Sequence, residues 1–521
     1  MKKSLLVVVV LMAALTAQAA EPPILRPFES DGGFVATNPV DERVLAALRL
    51  RGIEPANTCS DEVFVRRVYL DLIGTLPKPP EVRAFLEDRS ADKRAVLIDI
   101  LLEREEYADY WSLKWGDLLR VKAEFPINLW PNAVQAYHRW IRDAIAKNKP
   151  YDQFARELLT SSGSNFRTPP VNFYRAIQGQ EPSTIAGAVA LTFMGVRLEH
   201  WPEDRRKGME AFFSRVAFKK TAEWKEEIVT LDPAPAESLE AVFPDGTKVR
   251  IRQGEDPRRV FADWLITPEN PWFARSIVNR VWAWMMGRGI IHEPDDIRPD
   301  NPAVNPELLA YLEMELVKAD YDLRQLFRLI LNSGTYQQSS IPRSDHPDAG
   351  AMFASYPLRR LDAEVLIDAL CWIFGPKESY SSAIPEPFTF IPAQHRTITL
   401  ADGSITSPFL EMFGRPARDT GLESERDNTP TDAQRLHLLN STHIQRKIDQ
   451  SWRLRSLVRT AKRDRRRLIR TIYINILSRY PTPAELAAAK EYFKTDGLNQ
   501  RQAAGDLAWA LVNTKEFLYR H

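Results

Sequence analysis

At 521 residues, with 44% apolar and 27% charged side chains, the chain is long enough for two or three ordinary domains, each with a full hydrophobic core. Its 70 basic and 69 acidic residues nearly cancel, which excludes a global electrostatic drive toward nucleic acid. With only two cysteines, Cys59 and Cys371, it cannot build a four-ligand structural zinc site from thiolates.

The first residues, MKKSLLVVVVLMAALTAQAA, read as a secretory signal peptide: a positive start at Lys2 and Lys3, an apolar run from Leu5 to Leu15, and a small-residue cleavage site ending at Ala19. That run is shorter than the roughly 20 residues of a spanning helix. No later stretch qualifies, so an exported chain without a membrane span is expected, periplasmic or secreted. Removing residues 1–19 leaves 68 basic residues against 69 acidic.

After an N-terminal arm (residues 20–40), helical periodicity runs to about Phe218. Helices are expected over Asp61–Ile73, Pro79–Asp88, Asp92–Glu103, Tyr107–Leu119, Pro131–Lys147, Tyr151–Thr160 and Ser183–Phe193. Thr58 three residues before Asp61 marks a start, and Gly74 with Pro77 marks the stop. Residues 219–255 then alternate like strands, over Glu226–Leu231, Leu239–Phe243 and Lys248–Ile251, with Pro244-Asp245-Gly246-Thr247 as a hairpin turn. Helical pattern resumes at Asp256. Asn270 and Pro271 open an amphipathic helix, Gly287 and Gly289 end it, and an acidic loop follows (Asp295, Asp296, Asp300). An irregular stretch, Ser379–Asp432, precedes the last helices. The expected fold is mainly α, two helical domains (41–218 and 256–521) joined by a small β-hairpin insertion.

There is an internal echo. VYLDLIGTLPKPPEV (Val68–Val82) returns as IYINILSRYPTPAEL (Ile472–Leu486), a constant offset that matches Tyr69 to Tyr473 and Glu81 to Glu485. Each unit is a helix closed by a proline loop whose second proline starts the next helix. LLEREEY (Leu101–Tyr107), LILNSGTY (Leu329–Tyr336) and ALVNTKEF (Ala510–Phe517) repeat a second phrase. These read as packing units without the regular period of a solenoid.

The usual catalytic signatures are missing: no H-E-x-x-H, no G-x-S-x-G, no phosphate-binding glycine loop and no dinucleotide fingerprint. His437 and His443 lie six apart, on different faces if one helix carries both, and make poor metal partners; no metal site is expected. Two polar constellations stand out. Asn279, Arg280, Arg288, Asp295, Asp296, Arg298 and Asp300 gather around the glycine-ended helix. Their carboxylates fit acid and base roles in glycoside cleavage, and fit equally well the fixing of a tight loop by capping and arginine pairing. Arg415, Arg418, Glu423, Glu425 and Arg426 lie in the irregular stretch, where either function or an ion-pair network between domains is at home. Arg453–Arg470 carries nine basic residues against Asp464, with Arg465, Arg466 and Arg467 in a row. That density suits a sulfated glycan or another polyanion, or a solvated helix balanced by acidic neighbours. Trp111, Trp115, Trp140, Trp282 and Trp284 recur at helical spacing with apolar neighbours, and are expected in the core. Cys371 falls on the apolar side of a helix and reads as a buried thiol; whether it pairs with Cys59 stays open.

Several phrases carry a resemblance: FVRRVYLDLIGTLPKPPEVRAFLED and DKRAVLIDILLEREEYADYWSLKWGDLL in the first half, then NRVWAWMMGRGI, YPLRRLDAEVLIDAL, FLEMFGRPAR and the closing LVNTKEFLYRH. In this order the chain resembles a secreted family common in planctomycetes, which pairs the domains of unknown function 1549 and 1553. The resemblance implies architecture and export, but no reaction. Relatives follow a phrase like Phe193–Leu198 with C-x-x-C-H, which implies covalent haem. Here EHWPEDRRKGMEAFF stands in its place, with His200 the remaining histidine. A cysteine-containing phrase after FGRPAR is likewise replaced by DTGLESERD. Both losses imply a member without haem and with no cofactor. The leading expectation is a secreted binding or structural component of the periplasm or cell surface. Its partner would be a polyanionic or sulfated polysaccharide, or a cell-surface protein, with Asn279, Arg280, Arg415, Arg426, Arg465, Arg466 and Arg467 as contacts. The alternatives are a polysaccharide hydrolase or lyase using Asp295, Asp296, Glu423 or Glu425, and a protein that holds haem non-covalently.

Overall fold

A computed structural model describes residues 28–30, 32–232, 238–462 and 464–521. The expected leader, residues 1–19, lies outside them, as do the first residues of the arm and Arg463. Among the described residues helix dominates from Pro39 to Leu518, with three small antiparallel sheets. No helix among the described residues is long and apolar enough to cross a membrane.

Local chemistry places the helix ends. Asp61–Ile73 begins on Ser60, whose hydroxyl accepts from the Val63 N–H, and ends on Gly74 at φ 57°. Ser60 thus takes the start expected of Thr58, which instead forms a bridge to Gln338. A capping box, Thr482 with Glu485, starts Pro483–Tyr492. Phe273–Met286 is buried along every residue but Arg275, as suits a helix enclosed by others. Around it lie Pro306–Lys318, Leu323–Leu331 and, from the first half of the chain, the turn Ala190–Met194.

The two halves share one hydrophobic core. Trp111 sits 5.1 Å from Trp284 and 4.5 Å from Phe327, and Trp115 sits 5.1 Å from Phe154 and 6.1 Å from Trp284. Aromatic pairs of this kind add about 0.5–1.5 kcal/mol each beyond the area they bury. Of the five expected core tryptophans, Trp140 keeps partial exposure. The buried Arg66 donates to the carbonyls of Ile476 and Phe517, both at 2.9 Å, and so stitches the first long helix to the last ones.

The β region is larger than the expected hairpin. Leu239–Val242 and Lys248–Ile251 form that hairpin, turning at Gly246 (φ 92°). Glu227–Leu231 is the middle strand of a separate sheet, between Gly163–Ser164 and Val216–Lys220. The outer strands escaped the sequence reading because one has two residues and the other, VAFKK, has exposed lysines at its end. Tyr519–Arg520 pairs with Arg359–Arg360, so the chain's last residues close onto the middle of the second domain.

Candidate functional site

The two polar constellations meet. Asn279 and Arg280 project from the enclosed Phe273–Met286 helix. The Asn279 side-chain amide exchanges two hydrogen bonds, both 2.8 Å, with the backbone of Ile291, pinning the loop after Gly287. A Cβ on Gly289 would lie 2.1 Å from the Ile291 carbonyl, so only glycine fits that turn. Arg280, with no exposure, donates to the carbonyls of Thr192 (2.9 Å) and Leu191 (3.1 Å) and to the Asp295 carboxylate (2.5 Å). The other Asp295 oxygen accepts from the Glu423 N–H at 2.6 Å, and the Glu423 carboxylate accepts from the Trp284 indole at 3.0 Å. Asp295 therefore joins both constellations and the end of the first domain.

Beyond Glu423 the charges continue inward. Arg426 donates to Asp117 (2.6 Å) and Glu364 (2.7 Å), and Arg418 donates to Asp117 (2.9 Å). Arg415 lies 3.6 Å from Glu364 and donates to the Ile405 carbonyl. Lys114 reaches Asp362 at 3.0 Å, and Arg520 bridges Asp362 (3.1 Å) to Asp71 (3.0 Å). Asp71 also accepts from the hydroxyls of Tyr336 (2.9 Å) and Tyr356 (2.8 Å). This chain of buried charge crosses from the first domain to the second several times.

Burial opposes the charged form of Asp117, but Arg426, Arg418 and Lys114 outweigh it and hold its carboxyl below the ordinary range. For Asp362, Lys114, Arg520 and Arg426 overcome burial further, leaving its pKa well below the usual value. Glu423 goes the other way. Burial raises it, Lys114 offsets part of the rise, and Asp295 adds to it.

The other two sequence candidates face different ways. Asp296 pairs with Arg298 (3.1 Å) and lies 3.3 Å from the His200 ring, so His200 packs against this loop. Glu425 closes its own loop by accepting from the N–H groups of Asp419 (2.9 Å) and Thr420 (3.4 Å). Arg465, Arg466 and Arg467 are exposed in the first turn of Arg465–Leu477, far in kind from the buried arginines.

Sequence reasoning missed Asp71, Lys114, Asp117, Asp362, Glu364 and Arg520. The signal was a charged residue inside an otherwise apolar helix, as in VYLDLI and DAEVLIDAL. One open question closes and one local expectation changes. Cys59 and Cys371 are both buried and unpaired with each other. Lys447 lies 3.5 Å from the Cys371 sulfur, whose thiol burial pushes up to about 11. His437 and His443 come within 3.2 Å, because Ser441 ends one helix and caps the next, so they do not share a helix. His443 also contacts Glu378 at 2.9 Å.

Residues 39–199 match PSCyt2, a protein of unknown function (DUF1549), and residues 257–493 match PSD1, a protein of unknown function (DUF1553). The chain belongs to the family that pairs these two domains in this order. No curated protein and no solved structure matches it.

Proposed function

We propose that the protein is a secreted, haem-free binding component of the periplasm or cell surface that holds a polyanionic polysaccharide, such as a sulfated one. The carrying observation is the basic surface of Trp452–Ala461 and the start of the adjoining Arg465–Leu477 helix. Arg455, Arg459, Arg465, Arg466 and Arg467 are all exposed, and none enters an ion pair among the described residues. Three of them crowd the positive end of a helix dipole, where the Asp464 carboxylate accepts from the Arg467 N–H at 2.9 Å, so three cations face one capping anion. Guanidinium groups match sulfate oxygens with paired hydrogen bonds. The other sequence-predicted arginines support the same division of labour: Arg280, Arg415 and Arg426 are consumed in the interior, where Arg280 and Arg426 hold the first domain to the second and Arg415 braces the second.

The test is retention of the full chain on sulfated dextran against unsulfated dextran. Replacing Arg465, Arg466 and Arg467 by glutamine is expected to weaken binding on the order of a hundredfold, about 1 kcal/mol for each charge at an anionic surface. Equal retention on both resins contradicts the proposal.

A second reading, a hydrolase or lyase on polysaccharide, rests on Glu423. Its raised pKa beside Trp284 and Asp295 is the environment of a general acid. Release of reducing ends by the wild type, lost in Glu423→Gln with folding kept, is the outcome this reading requires.

A further inference from the structure

An open cleft of about 260 Å³ is bordered by Glu124, Phe125, Asn128, Trp130, Ala383 and Ile384. Trp224 meets Trp130 edge-on at 4.7 Å, and Phe388 lies 6.1 Å from Trp130 and 5.6 Å from Trp224. Phe125, Trp224 and Phe388 are 80%, 56% and 51% exposed; Trp224 and Phe388 cluster with Trp130, and Phe125 borders the same cleft. Three residues around it hold positive φ: Asn128 at 59°, Trp130 at 71° and Lys225 at 64°. Trp130 combines that angle with ψ 148°, a conformation nearly confined to glycine. Backbone strain of this kind persists only where the surrounding fold enforces it, and it gathers at ligand sites.

The charges around the rings narrow the ligand. The Lys225 ammonium lies 5.0 Å from the Trp130 ring and 5.8 Å from Trp224, so the negative ring faces already have a cation. A cationic ligand gains little there. The Glu124 carboxylate repels an anionic one. Its Oε1 is fixed by the Ser382 hydroxyl (3.1 Å) and the Ala383 N–H (2.8 Å), and its Oε2 has no partner among the described residues. An uncharged ligand with one apolar face and many hydroxyls suits rings, a free carboxylate oxygen and an amide together. We propose that this cleft binds a neutral polysaccharide strand. The exposed rings of Phe125, Trp224 and Phe388 stack on the C–H faces of the sugars, while Glu124 and Asn128 hydrogen-bond their hydroxyls. The site shares no residue with the basic surface and does not rest on it.

The test titrates the full chain with hexasaccharides of β-1,4-glucose, β-1,4-xylose, β-1,4-mannose and β-1,3-glucose, read by tryptophan emission and by calorimetry. At least one is expected to bind with a change in emission and with little dependence on salt. Trp224→Ala is expected to weaken it about tenfold, and Phe388→Ala to weaken it in the same direction. Both side chains are exposed, so removing them leaves the core untouched. The glutamine replacements at Arg465, Arg466 and Arg467 are expected to leave this binding unchanged, which separates failure here from failure of the polyanion reading. No binding by any of the four sugars overturns the proposal. So does binding that ignores both substitutions, or a cleft that takes a quaternary ammonium probe or a proline-rich peptide instead.

Discussion

Asp362 sits where four donors converge: the Tyr110 hydroxyl at 3.0 Å, Lys114 at 3.0 Å, Arg520 at 3.1 Å and the Asn428 amide at 2.7 Å. Removing one partner of a buried ion pair leaves charge without compensation and costs about 3–5 kcal/mol. Asp362→Ala is expected to lose that much in urea denaturation; a loss under about 1 kcal/mol would contradict the network's structural role. His138 gives a pH dependence. Burial, helped by the charges of Arg418 and Arg142, lowers its pKa to about 3. The unfolded chain takes up the proton near pH 6.5 and the folded chain does not. The stability from keeping it neutral is thus complete above about pH 6.5 and declines by about 1.4 kcal/mol per pH unit down to about pH 3. His138→Gln should flatten that decline in denaturation at pH 7, 6 and 5; an unchanged slope assigns the acid loss elsewhere. At this scale the sequence was partly legible. Arg280 and Asp295 stood out because they cluster within 16 positions, whereas Asp71 and Arg520 are 449 positions apart and no local pattern joins them.

Among elements, the internal echo goes deeper than matched letters. In the first unit, Arg104 pairs with Glu81 (2.9 Å) and Glu106 (2.6 Å) and lies 5.6 Å from the Tyr69 ring. In the second, Arg479 pairs with Glu485 (2.8 Å) and Glu516 (2.6 Å) and lies 5.6 Å from the Tyr473 ring. The same seat is thus filled by arginines from different places in the chain, which is why periodicity revealed the helices but not the pair. The helix ends differ in one respect. Gly74 ends the first at φ 57°, and Ser478 ends the second at φ 60°, buried, with a hydroxyl that has no hydrogen-bond partner among the described residues. A left-handed residue with a side chain is strained there. Ser478→Gly is therefore expected to raise stability by up to about 1 kcal/mol, seen as a higher Tm. A lower Tm would mean that the lost side-chain packing outweighs the relieved strain. The β region was read less fully, because Gly163–Ser164 is too short to announce itself and is a strand only by pairing with Glu227–Leu231.

For the whole molecule, one core and one charge network run through both domains, with Asp117 of the first held by Arg418 and Arg426 of the second. Helical periodicity was enough to show the mainly α fold. It was not enough to show that the halves interlock, since that depends on contacts hundreds of residues apart. Calorimetry of the full chain is expected to give a single transition whose calorimetric and van't Hoff enthalpies agree. Two resolved transitions would contradict the shared interior. The proposed binding falls to the surface, where Arg465, Arg466 and Arg467 are exposed and enter no ion pair among the described residues. The most direct measurement is the affinity for sulfated dextran across a salt series, in the wild type and with Arg465, Arg466 and Arg467 replaced by glutamine. Affinity is expected to fall steeply with salt in the wild type, with a weaker, shallower dependence in the variant. Binding that is absent at low salt, or the same in both proteins, would contradict the proposal.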